Sequence, residues 1–288
     1  MSNMRARSTA AQRVDMVSTA REGEPAVWQP PRPLAKVDGW PVHVANQCEV
    51  LTEIVRAARS GAGFTVFTLN LDHLVKLRQS AAFREAYLNA SIVTADGAPV
   101  AALTRRQTPR LARVTGADLV LPLAEAAADN GLPVFLFGTS PQVLADAGQR
   151  LERHCDGRLD ICGSLAPPPG FDPMSAAADV AIAQIRASGA RLCFVALGAP
   201  KQEIFAARAV AAGVKTGFIC IGAGLDFLAG EQIRAPRIFQ RTGTEWLWRL
   251  MSNPIRLGGR YARCAMLLTR IAIIEPAWRQ TRLGRARG

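Results

Sequence analysis

Several features that would assign a chain to a class at once are missing from these 288 residues. No run of about 18 uncharged apolar residues occurs, because charged residues such as Lys215 and Asp226 interrupt the most apolar segments, which excludes a membrane-spanning helix. Residues 1–18 contain no apolar core of the kind that a secretory signal carries. With 49% hydrophobic and 20% charged residues the chain is expected to be globular, and we expect it to stay in the cytoplasm.

Metal and nucleotide motifs are also missing. The six cysteines form no C-x-x-C pair, so we predict buried free thiols rather than a zinc site or a disulfide framework. The three histidines are scattered and no D-x-D occurs, so the sequence offers no ligand set for a metal ion. Neither G-x-G-x-x-G nor G-x-x-x-x-G-K-[ST] is present, which disfavours a dinucleotide or P-loop enzyme.

Positive charge is abundant and unevenly placed. Residues 237–288 hold 11 arginines and two acidic residues, a net charge of +9, whereas residues 1–236 have a net charge of +3. Such a basic segment favours an anionic partner: a lipid surface, a phosphorylated substrate or nucleic acid.

Short apolar runs alternate with segments of helical period, which predicts an α/β fold. This pattern is typical of a Rossmann-like, mainly parallel sheet with helices on both faces. We expect a mobile arm over residues 1–33, a catalytic domain over 34–236 and a helical C-terminal appendage over 237–288. The predicted strands are 64–69, 92–95, 133–137, 159–162, 192–197 and 216–221. The predicted helices are 47–60, 71–89, 98–107, 117–130, 141–153, 175–188, 201–212, 237–251 and 254–270, the last with Asn253 as its N-cap.

Ligands of such sheets bind beyond the carboxyl ends of the strands, which directs attention to Asp96. The pair Asp96-Gly97 is either a simple turn or a general base followed by a residue that lets substrate approach the backbone. Thr68 and Asn70 either bind the same ligand or cap the helix that begins at residue 71. We interpret His73 as a surface histidine.

Two glycine-containing segments are candidates for phosphate binding. In LGAPKQE (197–203), Pro200 and Glu203 are typical of a helix start, and Lys201 adds a positive charge. The GAG segment (222–224) offers a second close approach of backbone to ligand.

The last predicted helix is amphipathic and basic. Arg256, Arg260, Arg263 and Arg270 share one face, and an apolar face holds Leu257, Tyr261, Cys264 and Leu268. Three interpretations remain open: a solvated helix packed on the domain, a membrane-surface element aided by Trp246, Trp248 and Trp278, or a nucleic-acid contact.

Eight motifs in order over residues 36–261 resemble the WecG/TagA/CpsF glycosyltransferases of bacterial cell-surface polysaccharide synthesis. They are TLNLDH (68–73), ADGAPV (95–100), VTGADL (114–119), VFLFG (134–138), LGAPKQE (197–203), IGAGLDFLAG (221–230), RAPR (234–237) and TGTEWLWRLMSNPIRLGGRY (242–261).

The resemblance implies an inverting, metal-independent hexosyltransferase without a cofactor. Such an enzyme moves a sugar from a UDP-sugar to a polyprenyl-diphosphate-linked saccharide at the inner face of the cytoplasmic membrane. Asp96 is then the expected base, with Thr68 and Asn70 beside it. The expected donor-binding residues are Gly97, Gly138, Gly198, Pro200, Lys201, Gln202, Glu203, Gly222, Gly224 and Asp226.

The appendage is expected to close over the site and to meet the lipid diphosphate. By resemblance Arg234, Arg237, Glu245 and Arg249 belong to this acceptor site, and the basic helix adds Arg256 and Arg260. An anionic membrane surface is the expected partner and nucleic acid is not; homo-oligomerisation stays open. GSLAPPPGFDP (163–173) replaces the Gly-Tyr-Phe stretch of many members, so N-acetylmannosamine-type and glucose-type donors both stay open.

Two other functions remain alternatives. One is a nicotinamide-dependent oxidoreductase on a similar fold, which the missing G-x-G-x-x-G disfavours. The other is a non-enzymatic basic protein that binds lipid or nucleic acid.

Overall fold

Strands and helices alternate along the part of the chain that the computed structural model describes, residues 28–252 and 254–274. The strands are β1 (Ala35–Val37), β2 (Trp40–Val42), β3 (Phe64–Leu69), β4 (Ile92–Ala95), β5 (Val134–Gly138), β6 (Ile161–Leu165), β7 (Leu192–Ala196) and β8 (Gly217–Cys220). The helices are α1 (Gln47–Arg59), α2 (Leu71–Gln79), α3 (Ala81–Leu88), α4 (Ala98–Arg105), α5 (Gly116–Asp129), α6 (Pro141–His154), α7 (Ala176–Ala187), α8 (Lys201–Ala211), α9 (Gly224–Ala229), α10 (Arg237–Thr242), α11 (Glu245–Ser252) and α12 (Pro254–Thr269), with a π-helical turn at Arg270–Ile274.

Six strands form one parallel sheet in the order β4-β3-β8-β7-β5-β6. Side chains of β3 alternate between two hydrophobic cores: Phe67 and Leu69 face one, Phe64 and Val66 the other. Helices α2, α3, α7 and α8 cover the first core, and α1, α5, α6 and α9 cover the second. The predicted α/β class with both faces covered is therefore confirmed.

Five of the twelve described α-helices begin at a side chain that accepts a backbone N–H three residues further on. Asn46, Asn70, Ser80, Thr115 and Ser140 start α1, α2, α3, α5 and α6 in this way. These residues explain why the helix starts could be read from the sequence.

Two predicted helices are each broken in the structure. The helix predicted over 71–89 divides at Ser80, which is extended and caps α3 instead of continuing α2. The helix predicted over 237–251 divides at Gly243, whose φ is +72° and where a Cβ would lie 2.5 Å from the Cβ of Ala98. Asn253, the predicted cap of α12, lies outside the described residues, as do residues 1–27 of the predicted arm and residues 275–288.

Smaller features complete the fold. Strand β4 lies at an edge of the sheet, and its apolar sequence reflects cover from His43, which exchanges hydrogen bonds with Val93 through its backbone N–H and its ring Nδ1. Strand β6 begins two residues later than predicted. The hairpin β1–β2 and the short helix α9 were not predicted; Asp38 and Gly39 turn the hairpin with positive φ angles.

The C-terminal helix packs on the domain through part of its predicted apolar face. Leu257, Cys264 and Leu267 of α12 are buried, and α12 lies against α2. Among the described residues no helix combines the length and the apolar character needed to cross a bilayer.

Gly217 supplies a test of the central packing. Its Cβ would lie 2.2 Å from Cζ of Phe64, a fully buried ring that pairs with it across β3 and β8. Gly217→Ala should therefore lower the free energy of unfolding by about 1–3 kcal/mol, measured by urea denaturation. Gly258→Ala, a matched change in α12 with no atom within 4 Å, should leave stability unchanged or raise it by about 0.5–1 kcal/mol. Equal midpoints for the two variants would contradict the packing argument.

Candidate active site

A cavity of about 550 Å³ lies at the carboxyl ends of β4, β3, β8 and β7. Its floor is formed by residues that follow these strands, and its roof by residues of α11 and α12, including Trp246, Tyr261 and Leu268. Its volume suits a small-molecule substrate. The residues predicted at the site that line this cavity are Thr68, Asn70, Asp96, Gly97, Gly198, Gln202, Gly222, Arg234, Glu245 and Arg260.

Asp96 is held at the floor of the cavity by the end of the neighbouring strand. Its backbone N–H donates to the carbonyl of Leu69 at 2.8 Å. Its Oδ2 lies 3.4 Å from Nδ2 of Asn70. Gly97 follows with a φ of +76°, a conformation that L side chains rarely adopt, and begins α4 without a side-chain cap.

Asn70 caps α2, which confirms one of the two interpretations that the sequence left open, and it also lies beside Asp96. Its Oδ1 accepts from the backbone N–H of His73 at 3.0 Å, which caps α2, while its Nδ2 faces Asp96. Thr68, only 5% exposed, also lines the cavity from β3.

Hydrogen bonds connect the two loops on the other side of the cavity. Gln202 Oε1 accepts from the backbone N–H of Gly222 at 3.1 Å, and Gln202 Nε2 donates to Glu203 Oε1 at 2.7 Å. Lys76 Nζ donates to the carbonyl of Ala199 at 2.9 Å. The loops after β7 and β8 are thus fixed to each other and to α2.

Several predicted donor-binding residues do not line this cavity. Gly138 packs against the carbonyl of Ala196 at the end of β5, and β7 separates β5 from β8 and β3. Asp226 accepts from the hydroxyl of Thr139 at 2.8 Å, and Gly224 packs on Val120. Pro200 precedes α8 and does not line the cavity.

Lys201 lines a second pocket of about 470 Å³ at the ends of β5 and β7, together with Thr139 and the proline-rich segment 166–171. The structure therefore divides the LGAPKQE motif: Gly198 and Gln202 face the site cavity, and Lys201 faces its neighbour.

Four cationic side chains line the site cavity. Arg113 lies 2.8 Å from Glu245, Arg234 lies 2.5 Å from Asp118, and Lys76 lies 2.7 Å from Asp72. The fourth is Arg260, whose Nη1 lies 4.0 Å from Oδ2 of Asp72. The sequence prediction missed Lys76 and Arg113, although Asp72 and Lys76 have the i,i+4 spacing of a helical ion pair. The side chains of Arg237, Arg249 and Arg256 lie outside what the structure describes.

Two buried titratable side chains, His73 and Glu203, lie at this part of the molecule, and only His73 lines the cavity. His73 is 4% exposed, so its interpretation as a surface residue was wrong; its Nδ1 lies 2.7 Å from the hydroxyl of Tyr87. The pKa of His73 is lowered to about 3, mainly because the ring is buried and in addition because of the nearby charge of Lys76. Glu203 is fully buried, with Oε2 unpartnered, and burial raises its pKa to about 7.

The raised pKa of Glu203 predicts a pH dependence of stability. The unfolded chain ionises from pH 4.5 upward while the folded protein keeps its proton until about pH 7, so stability falls as pH rises across this range. Glu203→Gln removes this loss and keeps the acceptor for Gln202. At about pH 8 the variant should be more stable than the wild type by up to about 3 kcal/mol, and at about pH 4 the two should be similar.

Urea denaturation at both pH values measures this difference. Glu152→Gln, at an exposed position of α6, controls for the loss of one carboxyl. Parallel stability curves for wild type and Glu203→Gln would contradict the prediction.

The glycosyl transferase WecG/TagA/CpsF family model matches residues 35–282. This range begins at β1 and includes both the strands beneath the cavity and the helices α10 to α12 that follow Pro236. The motifs that carry the resemblance therefore lie in one matched region with the cavity lining. The chain belongs to the WecG/TagA/CpsF family, whose members are glycosyltransferases of cell-wall and surface polysaccharide synthesis.

Proposed function

We propose that the protein transfers a hexose from a UDP-sugar to a saccharide linked to polyprenyl diphosphate, with inversion and without a metal ion or cofactor. The observation that carries this proposal is the placement of Asp96, a carboxylate on the floor of a cavity that four cationic side chains also line. Asp96 takes the proton from the acceptor hydroxyl, the oxygen attacks the anomeric carbon, and the bond to UDP breaks on the opposite face.

Negative charge on the departing UDP needs stabilisation when no metal neutralises it. Among the described residues no group of three His, Cys, Asp or Glu side chains is placed to hold a metal. Arg113 and Arg234 line the cavity, as do Thr115 and Gly116 at the amino end of α5, where backbone N–H groups favour an anion. These groups supply the positive charge that the proposed reaction needs.

A panel of UDP-sugars, assayed for UDP release with a polyprenyl-diphosphate-linked acceptor, tests the reaction. We expect one donor to be turned over and activity to survive excess EDTA. Loss of all activity in EDTA, restored by Mg²⁺ or Mn²⁺, would contradict the metal-independent mechanism. Turnover of a nicotinamide cofactor with no UDP release would contradict the proposed reaction and favour the oxidoreductase alternative.

The role of Asp96 is tested by Asp96→Asn. The variant keeps the contact with Asn70 but cannot accept the proton, so turnover should fall roughly 10²- to 10⁴-fold while UDP binding by calorimetry is largely retained. Asp160→Asn, at an exposed position before β6, should turn over like the wild type. Near-normal turnover by Asp96→Asn would remove this carboxylate from the mechanism.

We further propose that the appendage places the protein at the anionic inner surface of the membrane. Large apolar side chains stand exposed on α10, α11 and α12: Ile238 at 64%, Met251 at 55% and Ile255 at 98%. They are distinct from Leu257 and Cys264, which pack inward, and the segment around them is rich in arginine. Apolar side chains beside basic ones favour the headgroup layer of a bilayer.

Replacing Ile238, Met251 and Ile255 together by Ser should weaken co-sedimentation with anionic phospholipid vesicles by at least about tenfold. Binding by the wild type should also weaken at high salt, because arginines contribute to it. The control is the double variant Met174→Ser, Val180→Ser. Both side chains are exposed, Met174 just before α7 and Val180 on it, and this variant should bind like the wild type. Equal pelleting by both variants would show that these helices do not bind lipid.

A further inference from the structure

Lys76 and Arg260 meet at the contact between the domain and the appendage. Lys76 lies on α2 and Arg260 on α12, and both side chains line the site cavity. Asp72 lies between them, with Oδ2 at 2.7 Å from Lys76 Nζ and at 4.0 Å from Arg260 Nη1. One carboxylate thus serves two cations, which leaves one positive charge in excess.

The guanidinium of Arg260 is incompletely satisfied. Its Nε is buried and has no hydrogen-bond partner, and its remaining contacts are long: 3.5 Å from Nη2 to the hydroxyl of Tyr261 and 5.2 Å from Cζ to the centre of that ring. A buried donor without a partner is costly, and an arginine fork suits two phosphate oxygens. Lys76 and Arg260 are 29% and 34% exposed, so a ligand in the cavity can reach both.

The position of this pair along α2 relates it to Asp96. Asn70 begins α2 and faces Asp96, and Lys76 follows six residues later, about 9 Å along the helix axis. Asp96, Lys76 and Arg260 line one cavity, so on the proposed function a sugar with one hydroxyl at Asp96 would extend the phosphate on its anomeric carbon to the pair. The helix that supplies Arg260 also carries the exposed apolar side chains of Ile255 and Met266.

We propose that Lys76 joins Arg260, which the sequence already places at the acceptor site, in binding the diphosphate of the lipid-linked acceptor, and that Asp72 is the internal counter-ion that this diphosphate displaces. This inference rests on the proposed function. It assigns a role to two residues of the NLDHLVK segment that neither the motifs nor the ion pair alone suggests: Lys76 contacts substrate, and Asp72 tunes how tightly that substrate binds.

Steady-state kinetics with each substrate varied in turn test the assignment. Lys76→Met should raise KM for the acceptor about tenfold or more, with KM for the UDP-sugar nearly unchanged. Asp72→Asn should act in the opposite direction and lower KM for the acceptor about threefold or more, because both cations are then free for the diphosphate. Lys215→Met, which removes an exposed lysine at the amino end of β8, opposite the strand ends that form the cavity, should change neither constant.

These outcomes separate a binding role from a structural one. If Lys76 served only to hold the carbonyl of Ala199, its loss would disturb the loop that carries Gly198 and Gln202 and would raise KM for the donor, which would overturn the proposal. An increase of the acceptor KM in Asp72→Asn, as expected if the ion pair only stabilises α2, would also overturn it.

Calorimetry with farnesyl diphosphate and with UDP gives a readout that does not depend on turnover. Lys76→Met and Arg260→Met should each weaken farnesyl diphosphate binding about tenfold and leave UDP binding within about twofold. Should the wild type bind farnesyl diphosphate in this way yet transfer no sugar from any donor, the proposed reaction fails and the subsite stands. Loss of UDP binding instead would assign the pair to the donor and overturn the proposal.

Discussion

The side chain of Asn70 connects the fold to the site. Its oxygen accepts the hydrogen bond that begins α2, and its nitrogen faces the carboxylate of Asp96 at 3.4 Å. The direction of α2 is therefore set at the same point where the candidate base is positioned. Helix α12 in turn packs on α2, so the position of the cavity roof also depends on α2.

Ion pairs between the C-terminal segment and α5 or the residues before it explain how several cationic side chains can line one cavity. Glu245 of α11 pairs with Arg113 before α5, and Arg234 pairs with Asp118 of α5, so each pair joins the C-terminal segment to the domain. Such pairs add little to stability when they are partly exposed. Their larger effect is to hold the two cations in place at the cavity wall. Neither pair reduces the net charge of +9 in residues 237–288, because Glu245 is already counted in it and Arg234 precedes that segment.

The sequence predicts most of this architecture because its signals are local. Apolar runs and capping side chains such as Ser140 mark strands and helix starts without reference to the rest of the fold. Ser80 shows the limit: the same residue type interrupts a helix where Phe83 and Tyr87 must turn into the core beside Leu74. The edge position of β4, the separation of Gly138 from the cavity and the burial of His73 depend on strand order, which no local pattern contains.

The titratable groups of the cavity differ in a way that favours Asp96 as the base. Asp72 and Glu245 are each held by a cation, at 2.7 Å by Lys76 and at 2.8 Å by Arg113. His73 also lines the cavity, but an imidazole whose pKa is lowered to about 3 holds a proton too weakly to take one from a hydroxyl near neutral pH. Asp96 accepts from the uncharged amide of Asn70 at 3.4 Å, and its side chain lines the cavity at the end of β4. The setting of each carboxylate thus depends on the partner it receives, and these partners lie on α2 or just before α2 and α5, away from β4 in the sequence.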